Sequence, residues 1–274
     1  MRSARTVPTL DPVDVGDHVC WLVDANEDFA GTARAFLADG KLFGDKVLIV
    51  GTTGITDRPR TLPEPGAGNR NRAWEPEAVL GVAPEAMLGV VRREADAASR
   101  QGFRALRVLA RMDQVWPAGA SPAQVARHEL GLDALVAAGG ALVVCAYHRS
   151  GFARASLAQT VGVHPHQLGM GPVMPDFRMF SAGTDCWSVS GVVDGDGATA
   201  FRTAVSELLA LSAVVRLRCE GLELMDAAGM RALLDATAPY PDRRVVLEGT
   251  NATVRRCWAL LGYDGLQSTV EFAP

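Results

Sequence analysis

Residues 46–50 read KVLIV, an unbroken aliphatic run, and residues 51–59 read GTTGITDRP. A strand that is apolar at nearly every position has to be covered on both faces, which places it inside a parallel sheet flanked by helices. The turn that follows is where a nucleotide-hydrolysing α/β domain carries a glycine loop ending in Lys and Ser or Thr, because backbone amides and a lysine must hold phosphates. No lysine follows here, which argues against phosphate binding of that type.

The pattern continues on both sides of that strand. Upstream, HVCWLV at 18–23 is a short apolar run, and the segment at 26–40 puts Phe29, Ala33, Phe36 and Leu37 on one helical face. Downstream come a loop rich in Pro, Gly and Arg at 54–69, a strand near 70–74, and a helix at 84–100 carrying Met87, Leu88, Val91 and Ala95. A strand at 105–111, a helix at 121–138 opened by Ser121 and Pro122, and a buried strand ALVVCAY at 141–147 complete the first half. Alternating strands and helices predict a mostly parallel sheet with right-handed crossovers and ligands at the strands' carboxyl ends.

The segment PHQLGMGPVMPD at 165–176 holds three prolines and two glycines, shows no periodicity, and reads as a linker and hinge. Beyond it lie CWSVSGVV, the turn DGDG at 194–197, a helix at 198–210, a strand VVRLRC at 214–219, a helix opening at Met225-Asp226, a strand RRVVLEG and a last helix TVRRCWALLG. The division expected is 1–164, a linker at 165–177, and a smaller α/β unit at 178–274. A length of 274 residues suits two domains.

Composition narrows the function. With 48% hydrophobic and 21% charged residues the chain can bury a core, and a net charge of −4 without a basic block disfavours direct nucleic-acid binding. No apolar run reaches the roughly 18–20 residues of a membrane span, and the N-terminus has no secretory hydrophobic segment, so the expected location is the cytoplasm, with no membrane partner. Five scattered cysteines (Cys20, Cys145, Cys186, Cys219, Cys257) predict reduced thiols. Neither G-x-S-x-G nor H-E-x-x-H occurs, so no catalytic residue is assigned.

The stretch VVRLRCEGLELMDAAGMRALL at 214–234, with SVSGVVD at 188–194 and VVLEGTNATVRRCWALLG at 245–262, resembles the STAS family, named for sulfate transporters and anti-sigma factor antagonists. The resemblance covers about residues 178–274. It implies a domain that docks on an anti-sigma factor or a related serine-kinase-like protein through Asp226, Ala227, Ala228 and Gly229. In bacterial antagonist members the first Ser after the Asp is phosphorylated and the phosphate blocks docking; here that position is Ala227, so no phosphorylation is expected. Asp226 can cap the helix start, and Gly229 permits close backbone approach.

The first half resembles the MEDS sensory family, named for methanogen and methylotroph regulators, over about residues 12–165. The matching residues are Gly16-Asp17-His18-Val19-Cys20, Phe29, the stretch from Leu37 to Val50 with its Gly44-Asp45-Lys46 turn, Glu129, Cys145 through Phe152, and His164-Pro165. The resemblance implies a RecA-like sheet without a phosphate loop, and a small hydrocarbon-type or other apolar ligand.

On their strands His18 and Cys20 share one face, as do Cys145 and Tyr147, while His148 and Arg149 fall at a carboxyl end. These six are the candidate ligand-binding residues. No metal or cofactor is assigned, although a thiolate beside His18, completed by His148, His164 or His166, has the donor types of a metal site or a reactive thiol. The bland alternative makes Cys20 and Cys145 core residues, bonds His18 to a backbone carbonyl, and pairs Arg149 with Glu129. The function expected is a non-enzymatic regulator in which a sensory domain controls a STAS domain, with a homodimer among the partners considered; a scaffold with a degenerate sensor and a thiol- or metal-dependent redox protein are the alternatives.

Overall fold

The computed structural model describes residues 3–51, 77–79, 83–116, 120–169, 175–265 and 269–273, so the loop expected at 54–69 and the strand expected at 70–74 lie outside it. In the first unit, strands β1 (Arg5–Val7), β2 (His18–Val23), β3 (Lys46–Val50), β4 (Glu77–Val79), β5 (Leu106–Arg111), β6 (Ala141–His148) and β7 (His166–Leu168) form one sheet. Their order is β1-β7-β2-β6-β5-β3-β4, and every neighbouring pair is parallel. Counted from β2, and setting aside β1 and β4 at the edges, the strands lie in order 5-1-4-3-2, the RecA-like arrangement.

Helices α1 (Phe29–Phe43), α2 (Pro84–Arg100), α3 (Met112–Val115), α4 (Pro122–Ala137) and α5 (Arg154–Gly162) cover the sheet. The side chains of β3 show why KVLIV is apolar throughout. Val47 and Ile49 pack with Ala33, Phe36 and Leu37 of α1, whereas Leu48 and Val50 pack on the other face with Met87 and Val91 of α2 and Leu132 of α4. The turn before β3 is structural: Gly44 ends α1 at φ +75°, and the fully buried Asp45 accepts from Arg104 Nε at 2.8 Å and Arg107 Nε at 2.9 Å. Ser121 and Gln124 form the reciprocal cap at the start of α4.

In the second unit β8 (Phe177–Gly183), β9 (Cys186–Val193), β10 (Val214–Met225), β11 (Arg244–Glu248) and β12 (Val270–Phe272) form a sheet in order β12-β11-β10-β9-β8. Only the β8–β9 hairpin is antiparallel. Helices α6 (Ala198–Leu211), α7 (Ala227–Thr237) and α8 (Ala252–Leu260) complete it. β10 runs past the expected end at 219, because register shifts between Arg218 and Gly221 and between Leu222 and Leu224 carry it on to Met225. Each shift alters the inward spacing, so Cys219, Leu222 and Met225 remain buried at intervals of three instead of two.

The expected linker is partly regular structure. His166–Leu168 inserts as β7 between β1 and β2, and Phe177 already begins β8, because His166 and Gln167 are buried and hydrogen-bonded rather than solvated. The two units also share a packed seam. Leu130 of α4 and Val163 sit in the core of the second unit, beside Leu208 and Phe177. No described helix is long and apolar enough to cross a membrane.

Candidate functional site

Helix α4 lies between the first sheet and the second unit, so it buries residues around much of its circumference, including His128, Glu129 and Asp133. Glu129 and Asp133 are one turn apart and face the sheet where β2 and β6 run side by side, with Cys20 opposite Cys145 in register. The result is a cluster with no solvent exposure at His18, Glu129, Cys145, Tyr147 or His164.

Glu129 is its centre. Oε2 lies 3.2 Å from His18 Nε2, 3.2 Å from His164 Nε2 and 3.4 Å from Cys145 Sγ. The Tyr147 hydroxyl donates to Oε1. Cys145 Sγ is also 3.4 Å from His18 Nε2, and the two imidazole rings stand 4.1 Å apart. Behind them, His164 Nδ1 donates to the Thr160 carbonyl at 2.8 Å, and His18 Nδ1 faces Asp133 Oδ1 at 3.5 Å, a charge contact longer than a normal hydrogen bond.

The electrostatics follow from burial against charge. Burial alone would raise the Glu129 carboxyl, but the surrounding histidines outweigh it and hold the group well below its ordinary value. For His18, burial favours the neutral ring, yet Asp133 and Glu129 prevail and raise its pKa. His164 goes the other way, lowered by burial and by its cationic neighbour His18. Burial and the Glu129 charge push both the Cys145 thiol and the Tyr147 phenol well up. Cys20 shows the same effect, which disfavours a reactive thiolate there.

The structure therefore gathers His18, Cys145 and Tyr147 and sets the other candidates apart. Cys20 lies opposite Cys145 in register and in the same buried apolar cluster as Cys145 and Tyr147, but is not one of the groups gathered on Glu129 Oε2. His148 points away, its ring 5.3 Å from Phe29, and Arg149 pairs with Asp24 at 2.9 Å rather than with Glu129. Of the three histidines considered as a complement to His18, only His164 joins it; His166 bonds Asp17 Oδ1 at 3.0 Å. Among the described residues His18 bonds no backbone carbonyl. The sequence reading does not single out Asp133, and it gives Glu129 as a family match and as a partner for Arg149 but not as a site residue, although acids four apart inside the largely apolar HELGLDALV were the available signal.

Asp133 also reaches across the seam. Its Oδ2 accepts the backbone N–H of Ser181 in β8 at 2.6 Å. From the same strand the buried Arg178 donates to the His164 carbonyl at 3.2 Å and to Gln167 Oε1 at 2.9 Å. Both histidines of the cluster are thus one side chain or one carbonyl away from β8. A cavity of about 320 Å³ opens beside the cluster, lined by Trp116, Phe152 and Thr160 among others. Its walls include Asp113 and Gly151, the residues following β5 and β6 at their carboxyl ends.

At the second candidate surface Asp226 caps α7, accepting the Gly229 amide at 2.9 Å. A Cβ on Gly229 would stand 2.4 Å from the Val193 carbonyl oxygen, so glycine is required by close approach. Ala227 and Ala228 are exposed at the helix start.

A parallel sheet with an enclosed polar cluster, joined to a small α/β unit, defines a two-domain α/β protein. The family described as MEDS, the methanogen/methylotroph, DcmR sensory domain, matches residues 17–165, more than half of the chain, and the chain belongs to that family. The family described as Mlab, STAS domain, matches residues 182–268. A solved structure described as the anti-sigma factor antagonist SpoIIAA in its unphosphorylated form is 20% identical over 31% of this chain and 82% of that one, with a TM-score of 0.23. No curated protein matches.

Proposed function

We propose that the protein is a cytoplasmic, non-catalytic regulator in which the state of the His18–Glu129–Cys145–His164 cluster sets the position of the STAS domain, which then binds or releases a protein partner. The observation that carries this reading is the continuous path from the cluster to β8, through Asp133 to the Ser181 amide and through the His164 carbonyl to Arg178. A signal shifts such a system only if it has different affinities for its two arrangements, and both contacts change if either histidine moves. A small apolar molecule in the cavity beside Thr160 would act on the same path, because the Thr160 carbonyl holds His164.

The partner surface is the exposed start of α7, and its partner class is an anti-sigma factor or a related serine-kinase-like protein. Ala227 offers no hydroxyl, so this docking is not switched by phosphorylation there. The test is capture of partners from the host by the full chain and by its Ala227→Asp variant. An acid at the first turn favours the helix, so the variant keeps its fold while adding charge to the surface. Loss of a captured partner is expected; equal capture by both forms refutes docking at this helix start.

A further inference from the structure

We infer that His18 Nε2, His164 Nε2, Glu129 Oε2 and Cys145 Sγ form a closed, tetrahedral site for one divalent transition-metal ion of zinc type. The inference deepens the sensory reading of this cluster and relies on it only for the ion's use as a signal.

Geometry is the first support. Zinc bonds of about 2.0–2.2 Å to nitrogen and oxygen and about 2.3 Å to sulfur, set at tetrahedral angles, hold ligand atoms about 3.3–3.6 Å apart. The four separations around Glu129 and Cys145 are 3.2, 3.2, 3.4 and 3.4 Å, and all four ligand atoms lie within 4.8 Å of one another. The donor set is also of mixed softness, two imidazoles, a thiol and a carboxylate, as zinc accepts.

Proton placement is the second. His164 Nδ1 donates to a carbonyl, so its Nε2 presents a lone pair when the ring is neutral. That lone pair faces a carboxylate oxygen already approached by His18 and Cys145, and His164 Nε2 makes no hydrogen bond although it is fully buried. Two acceptors 3.2 Å apart repel each other in a dry interior. A cation between them turns the same contacts into four bonds.

Charge and support complete the argument. A thiolate and a carboxylate balance a divalent ion while both imidazoles stay neutral, which suits a site without solvent exposure. Loading breaks the Cys145 S–H bond and the Nε2–H bond of the cationic His18, and releases both protons as the metal–sulfur and metal–nitrogen bonds form. Asp133 stands behind His18, the Thr160 carbonyl behind His164, and the Tyr147 hydroxyl on the second oxygen of Glu129, the outer contacts that orient metal ligands.

The experiment is chelator stripping of the reduced full chain followed by titration with Zn²⁺ and with Co²⁺. One equivalent is expected, with tetrahedral Co²⁺ absorption and a thiolate-to-cobalt charge-transfer band that Cys145→Ser abolishes. Asp133→Asn, which changes the support of His18 and the acceptor of the Ser181 amide but no ligand atom, should weaken affinity about 10–100-fold, and His166→Gln should leave it unchanged. Absence of stoichiometric binding by the folded wild-type chain overturns the inference, as does a charge-transfer band that survives Cys145→Ser. Hydrogen exchange at the Ser181 amide separates the two readings. Stoichiometric metal that leaves this amide unmoved upholds the site and refutes its use as the input; no metal, with partner capture still sensitive to Asp133→Asn, refutes the site and upholds the seam.

Discussion

Replacing Asp133 tests the path between the units most directly. Asp133→Leu keeps the branched shape of the side chain, with greater bulk, but removes both acceptor oxygens, so the buried Ser181 N–H loses the Asp133 acceptor and His18 loses a counter-charge. A buried donor left unsatisfied costs about 1–3 kcal/mol, and loss of a charge-assisted contact adds about as much. Removing a buried carboxylate also recovers desolvation energy, but that gain dominates only when both partners are replaced; removing one leaves the other uncompensated. The net expectation is about 3 kcal/mol of destabilisation, roughly a hundredfold in the folding constant, or a melting temperature about 6–12 °C lower for domains of this size. Asp133→Asn retains one acceptor oxygen and should cost about 1 kcal/mol. The assay is urea denaturation with hydrogen exchange read at Ser181, which should lose protection in the Leu variant before the core of either sheet does. A Leu variant as stable and as protected at Ser181 as the wild type would refute the claim that this carboxylate ties the units together.

Other predictions concern single groups. Under native, metal-stripped conditions a thiol reagent should modify the partly exposed Cys186 and Cys257, while Cys20, Cys145 and Cys219 react only on unfolding, as read by mass spectrometry of labelled peptides. Burial, followed by the nearby Glu220 and Glu248, pushes the Cys219 thiol up to about 12, so raising pH to 9 should not expose it. Asp17 adds an acid limb to stability: burial would raise its pKa, but His166, the Asp14 amide and Arg5 outweigh burial and lower it. A group depressed in the native state contributes above its unfolded pKa, about 4, and loses that contribution as pH falls through the native value. Denaturation midpoints between pH 2 and 5 should therefore fall more steeply for the wild type than for Asp17→Asn; parallel curves would remove Asp17 from the account.

Fold was legible where residues have a single use. KVLIV announced a strand covered on both faces, and Ser121-Pro122 marked the start of α4 because the cap and the fixed proline torsion are local effects. β10 was read too short because its bulges break the alternation on which the reading depended. The family resemblance singled out His18, Cys145 and Tyr147, and strand alternation placed His18 with Cys20 and Cys145 with Tyr147. Glu129 and Asp133 were not legible as site residues, since a helix buried by two domains shows no polar face against which inward acids stand out. The fate of Arg149 was hidden by distance instead, because its partner Asp24 lies in a loop more than a hundred residues away.

One consequence concerns how the chain avoids its own kind. β8 is a seven-residue strand at the edge of the second sheet, and in the intact chain α4 covers that edge and occupies the Ser181 amide. The opposite edge, β12, has only three residues. An expressed fragment starting at residue 178 would lose Phe177 and the cover of α4, and would bare a strand with free ladder amides and the apolar side chains that met Leu130 and Val163. Open edges of that length recruit identical strands. In the intact chain the first unit thus covers the edge at which identical strands would pair, and a fragment starting at residue 178 is expected to self-associate where the full chain does not, as read by light scattering.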